Sequence, residues 1–316
     1  MTPPTGAVTI ATGLSVVTGV LLAGQAHVNG ELEEKMGAAV PAALVSFVVG
    51  TAAIWAVVAV TRRLRPARAR MRERRARDGR VPLWYLSGGL LGALVVASSA
   101  AAAPQVGVSI LFVFLVLGQT VGALLVDAAG LGPGAARPPS PSRVLGTALA
   151  VGAAVIAAAG QPGGSGGHLV LLVVVVLAGA GIAVQQAANG NLQQVTGEAT
   201  VVALVSFAVG TLGLAVLAAP LALAGSFGDL HWGVGPWWIY LGGLAGAVFI
   251  TLAAAIVGLL GVLRLSLATI SGQLLGALGF DALAPPAGTD ALAWTTVAAV
   301  VLTFVAMVVA GLRRPA

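Results

Sequence analysis

Ten runs of roughly 18 to 25 apolar residues, each long enough to cross a hydrocarbon core as an α-helix, follow one another with only short interruptions: 6–29, 38–61, 82–103, 107–128, 143–160, 169–190, 200–224, 236–257, 260–282 and 291–312. No other feature constrains the fold as much. Inside lipid every backbone N–H and C=O needs a partner within the protein, which leaves helices or a closed barrel. Barrel strands read as short segments of alternating polarity, whereas these runs are continuous Ala, Leu, Val and Gly. An all-α membrane protein of ten transmembrane helices is expected. With 58% hydrophobic and 8% charged residues, nothing is left for a soluble domain. The opening MTPPTGAVTI has no basic stretch ahead of its apolar run, so the first span reads as a retained helix and not a cleaved signal. There is no cysteine, which removes disulfides and thiolate metal sites; neither a metal nor a cofactor is expected.

The formal net charge of +6 does not point to nucleic acid, because ten of the sixteen basic residues sit in one loop, TRRLRPARARMRERRARDGR, at 61–80. Lys and Arg in short loops stay cytoplasmic. Placing this loop inside also places Arg137, Arg143, Arg264, Arg313 and Arg314 inside, leaves Lys35 outside, and puts both termini in the cytoplasm. Part of the loop could hold anionic lipid head groups, but topology is the simpler reading. The bias of 15 Arg to one Lys, with abundant Ala and Gly, fits a bacterial cell-membrane protein from a GC-rich genome.

The chain also repeats itself. Residues 25–51 and 185–211 align without gaps at 14 of 27 identical positions, among them Gln25/Gln185, Asn29/Asn189, Gly30/Gly190 and Gly37/Gly197. Residues 82–128 and 236–282 align at 19 of 47, including Trp84/Trp238, Gly92/Gly246, Gln119/Gln273 and Asp127/Asp281. Each unit, 1–160 and 161–316, holds five expected helices. Five is odd, so the second unit enters the membrane from the opposite side. Inverted units around a shared site are the architecture of alternating access.

The stretches GQAHVNGELEEKMGAAVPAALVSFVVGT, PLWYLSGGLLGAL and GQTVGALLVDA resemble the drug/metabolite transporter superfamily, and within it the YdcZ-like branch, whose five-helix halves are often separate genes. The resemblance implies secondary transport, commonly export, of small metabolites or drugs. The small multidrug-resistance relatives bind cations through a midspan Glu in the first helix. That Glu is absent here, with Glu31, Glu33 and Glu34 expected in the outer loop instead.

Polar residues inside the spans are few, and each is a candidate for binding. Gln25 and Asn29 are four apart and share a helix face, as do Gln185 and Asn189, with Gln186 beside them. Amides donate and accept without carrying charge, which suits a polar, neutral or zwitterionic solute; the alternative is helix-to-helix glue. The Asn-Gly dipeptides at 29–30 and 189–190 look like helix ends. Gln119 and Gln273 lie in small-xxx-small motifs built from Gly118 and Gly122 and from Gly272 and Gly276, and these, with Gly88/Gly92 and Gly242/Gly246, read as helix-packing residues. Asp127 and Asp281, the only repeated carboxylates, are candidates for proton or cation coupling, or else interfacial acceptors. His27 reads as interfacial at the outer end of the first helix, with His168 and His231 in loops. The six tryptophans mostly flank spans as an aromatic belt, Trp55 being the first choice to line a cavity.

A secondary transporter is the leading class. An enzyme would need a nucleophile with a base, paired carboxylates or a metal cluster within the spans, and no HExxH or GxSxG motif lies within them. A channel or scaffold is the third class. ATP-driven transport would need a partner, since the chain has no Walker motif. The expected partners are the bilayer, a small-molecule substrate and a coupling proton; a monomer or a homodimer fits equally.

Overall fold

The computed structural model describes residues 5–132, 139–160, 166–228, 230–233, 235–284 and 293–311, with the side chains of 5, 78, 166–168, 253–267 and 311 excepted. Arg137, Arg313 and Arg314, and the side chains of His168 and Arg264, lie outside the described residues.

Among the described residues every regular element is helical. In chain order these are α1 (Thr5–Met36), α2 (Ala39–Thr61), α3 (Leu64–Asp78), α4 (Ser87–Val106), α5 (Val108–Ala128), α6 (Pro141–Ala159), α7 (Gly166–Thr196), α8 (Ala199–Leu223), α9 (Gly242–Leu283) and α10 (Trp294–Gly311). Single 3-10 turns at Leu83–Leu86 and Trp237–Leu241 lead into α4 and α9. Seven described helices are long and apolar enough to cross a membrane, and two shorter apolar stretches, Trp237–Leu252 and Trp294–Ala310, accompany them. Large apolar side chains such as Val60, Leu177, Leu212 and Val216 face outward, as a lipid-facing surface requires.

Three expectations about the elements are corrected. The Asn-Gly dipeptides are helix interior, not helix ends. Gly30 is small because a Cβ there would press on Ala103 and Pro104 of α4. The true stops are Gly37 and Gly197, at φ +87° and +66°, whose N–H groups donate to Glu33 O and Gln193 O at 2.8 and 2.7 Å; an L side chain is disfavoured there. Glu31, Glu33 and Glu34 therefore stand in the last turns of α1 and not in a loop. Second, most of the arginine run forms α3, because Arg, Ala, Met and Glu all favour helix and Leu64, Ala67 and Met71 give it an apolar stripe. Third, helical structure runs without a gap through the expected spans 236–257 and 260–282 as α9, of 42 residues, although Gly242 and Phe280 both lie beside residues 24–29 of α1, so the segment doubles back along its length. In the first half the matching segment breaks after Pro104 at Gly107, whose φ is +85°; the counterparts are Gly258 and Gly261.

The two halves pack by exchanging partners. α1 lies chiefly against α9, α7 against α5 and α4, α2 against α8, and α6 against α10. α5 is enclosed, every residue from Val108 to Val116 being buried. Glycine brings these helices close. A Cβ on Gly118 or Gly122 would strike the α7 backbone at Val176 or Ala180, and one on Gly272 or Gly276 the α1 backbone at Val16 or Val20. The backbones of Gln119 and Gln273 sit at the same crossings, against Gly179 and Gly19. Without a hydrophobic driving force between helices in lipid, such close van der Waals contact is what holds them.

Candidate functional site

The repeated amides converge on glycines at the starts of α4 and α9. Asn29 of α1 is 1% exposed, and neither Oδ1 nor Nδ2 has a hydrogen-bond partner; the buried Ser46 Oγ of α2 is equally unpartnered. Gly242 brings the two together, since a Cβ there would strike the Asn29 amide and lie 3.3 Å from Ser46 Oγ. In the other half Gly88 faces the Asn189 amide, and Ser206 Oγ donates to Asn189 Oδ1 at 2.7 Å. Gln25 covers Gly246, with Oε1 and Nε2 at 3.0 and 3.1 Å from the position of a Cβ, and Gln185 covers Gly92. These four glycines thus seat amides, a role beyond the helix packing that small-residue spacing suggests.

Between the two amide sets lie α2 and α8. The rings of Phe47 and Phe207 meet at a tilt of 34°, centroids 5.1 Å apart, each against the other's neighbour, Gly210 or Gly50. Thr51 Oγ1 and Thr211 Oγ1 are 2.8 Å apart. Thr211 already donates its one proton to Phe207 O at 2.8 Å, so Thr51 is the donor between them. Ser46, Phe47 and Thr51 belong to the repeated phrase ALVSFxVGT; their identity in both halves was the signal, although only the amides stood out as polar. A buried amide or hydroxyl left unpartnered costs about 1–3 kcal/mol. Asn29 and Ser46 together therefore offer a donor and acceptor set, without net charge, to a polar group brought between them.

The two repeated carboxylates have different partners. Asp281, near the end of α9 and 3% exposed, accepts from Val108 N–H and Ser109 N–H at 2.8 and 2.7 Å. It therefore caps the positive end of α5, which compensates for its unfavourable place on its own helix. Gly107 is required beside it, for its positive φ and because a Cβ would stand 3.1 Å from Asp281 Oδ2. Asp127, at the end of α5, pairs instead with Arg143 of α6 at 2.8 Å.

A family model described as "Putative inner membrane exporter, YdcZ" matches the chain twice, over residues 10–156 and 170–309. The chain belongs to this family. No curated protein and no solved structure matches it.

In this YdcZ-family chain the matched segments include all the residues of the amide site and both carboxylates. Two expected contributors stand apart. Gln186 is exposed on α7, next to the inward Gln185. Trp55 is 60% exposed, on the face of α2 opposite the buried Ser46, Phe47, Gly50, Ile54 and Val58. His27 lies inside α1, stacked on Phe280 with centroids 5.3 Å apart, and not at an outer helix end. Among the described residues no group of His, Asp or Glu has the proximity to hold a metal.

Proposed function

We propose that the chain is a secondary active transporter that exports a small metabolite or drug by alternating access, its two five-helix units, 1–160 and 161–316, lying inverted in the membrane with both termini cytoplasmic. One observation carries the reading: the contacts at the crossing come in reciprocal pairs. Asn29 on Gly242 answers Asn189 on Gly88, Gln25 on Gly246 answers Gln185 on Gly92, and Phe47 on Gly210 answers Phe207 on Gly50. Such exchange is what a two-fold relation between the units produces, and an odd number of spans per unit sets that axis in the membrane plane. Gly242, at the start of α9, lies against Asn29, and Phe280, near its end, stacks on His27, so both ends of α9 sit beside the same turns of α1 and the segment doubles back. It serves as two spans turning near Gly258 and Gly261, which makes ten.

The loops support opposite placement. Glu198, between α7 and α8, pairs with Arg63 and Arg70 at 3.1 and 3.4 Å, and so shares a face with the basic helix α3. The equivalent end of α1 instead meets the segment before α9, where His231 N–H donates to Met36 O at 3.4 Å. Gln25, Asn29, Gln185 and Asn189 bind a polar, neutral or zwitterionic substrate. The satisfied Asn189–Ser206 pair and the open Asn29–Ser46 pair are the two half-sites in unlike states. Asp127 and Asp281 are the coupling carboxylates.

Reconstitution into proteoliposomes with a panel of amino acids, sugars, cations and amphiphilic drugs tests this by counterflow and proton-linked current. Gln25→Leu or Gln185→Leu is expected to raise the apparent substrate constant about 2- to 10-fold, the worth of one hydrogen bond. Unchanged kinetics would leave the amides as helix glue. Asp127→Asn or Asp281→Asn is expected to abolish gradient-driven movement while sparing counterflow; full gradient-driven uptake would exclude that position from coupling.

A further inference from the structure

We propose that the corner between α2 and α3 holds the phosphate of an anionic phospholipid. α3 lies along the bundle through Leu64, Ala67 and Met71, and Ala67 is 2% exposed in one core cluster with Val58 of α2. On the adjoining face Arg63 and Arg70 share one partner, Glu198. Arg62, Arg65 and Arg68, three residues apart, have no ion pair among the described contacts. They line a groove of about 370 Å³ together with Val58, Ala59 and Leu64. Arg62 takes φ +53°, a left-handed conformation rarely adopted by a residue with a side chain, where the chain turns from α2 into α3.

Three exposed guanidinium groups stand near the positive end of a 15-residue helix, where an anion is favoured. Guanidinium forks match phosphate oxygens in pairs. A free phosphate would leave the apolar side of the groove unused. α2 there presents Val57 and Val60, 43% and 83% exposed, at the end of a candidate membrane span. A phosphate at the arginines with acyl chains down α2 uses both surfaces, and that combination is a phospholipid.

The test is thermal unfolding of the purified full chain in neutral detergent, titrated separately with phosphatidylglycerol, phosphatidylcholine and inorganic phosphate. Phosphatidylglycerol is expected to raise the midpoint, and the other two are not. R62Q/R65Q/R68Q is expected to weaken half-saturation on the order of 100-fold, at about 5-fold per arginine near an anionic surface. R72Q/R75Q/R77Q, which removes equal charge further along α3, is expected to cost under about 5-fold on the same scale. Equal losses in the two variants, or equal responses to phosphatidylcholine or inorganic phosphate, would overturn the proposal. Should R62Q/R65Q/R68Q not fold, R65K keeps the charge but loses the fork; about 5-fold weaker phosphatidylglycerol binding is expected, and unchanged binding would refute the site.

Discussion

At single positions the site is made of glycines facing amides, and the neighbour each glycine meets decides what a substitution costs. A Cβ on Gly243 would collide with the Ser46 carbonyl and the Gly50 N–H, both backbone. One on Gly246 would meet the flexible end of Gln25 at 3.0 Å and the Phe207 ring at 3.2 Å. Gly243→Ala is therefore expected to destabilise by about 3 kcal/mol or more and Gly246→Ala by about 1 kcal/mol, read as detergent unfolding midpoints; equal losses would contradict the geometry. Part of this was legible in the sequence. The spacing of Gly88/Gly92 and Gly242/Gly246 announces a face open to close approach. Helical periodicity says which residues share a face and not which helix arrives at it, so the pairing of Gly246 with Gln25 required the fold.

Among the helices, the junction of α4 and α5 shows how a buried charge is settled. Asp281 satisfies two buried N–H groups, whereas Asp127 forms a partly exposed pair with Arg143. Asn at 281 keeps one acceptor and turns an N–H₂ toward the second donor. Asp281→Asn is expected to cost about 1–3 kcal/mol and Asp127→Asn about 0–1 kcal/mol, measured by thermal unfolding; the reverse order would refute the capping role of Asp281. Helix ends were only half legible. Asn29-Gly30 carries the composition of a turn, but tertiary contact with Pro104 claims the glycine, and Gly37 ends the helix. The arginine run looked like a loop from its charge, although its propensities favour helix once Ala67 finds a core to enter.

At the scale of the whole chain, the internal repeat was the most legible feature. Offsets of 160 and 154 residues in the sequence recur as pairs of equivalent contacts in space, from Thr51–Thr211 to the glycine crossings. Unlike partners for like residues, such as Asp127 and Asp281 or Asn29 and Asn189, could not be seen in the alignment, because identical residues there carry no information about conformational state. Inversion itself is open to direct measurement. Glu34 and Gln194 are equivalent repeat positions, both exposed near the ends of α1 and α7, and the chain has no native cysteine. Single substitutions Glu34→Cys and Gln194→Cys, probed in intact cells with a membrane-impermeant maleimide, are predicted to label only at position 34, with position 194 reacting after the membrane is opened. Labelling of both from the same side would contradict inverted units and, with them, the transport cycle.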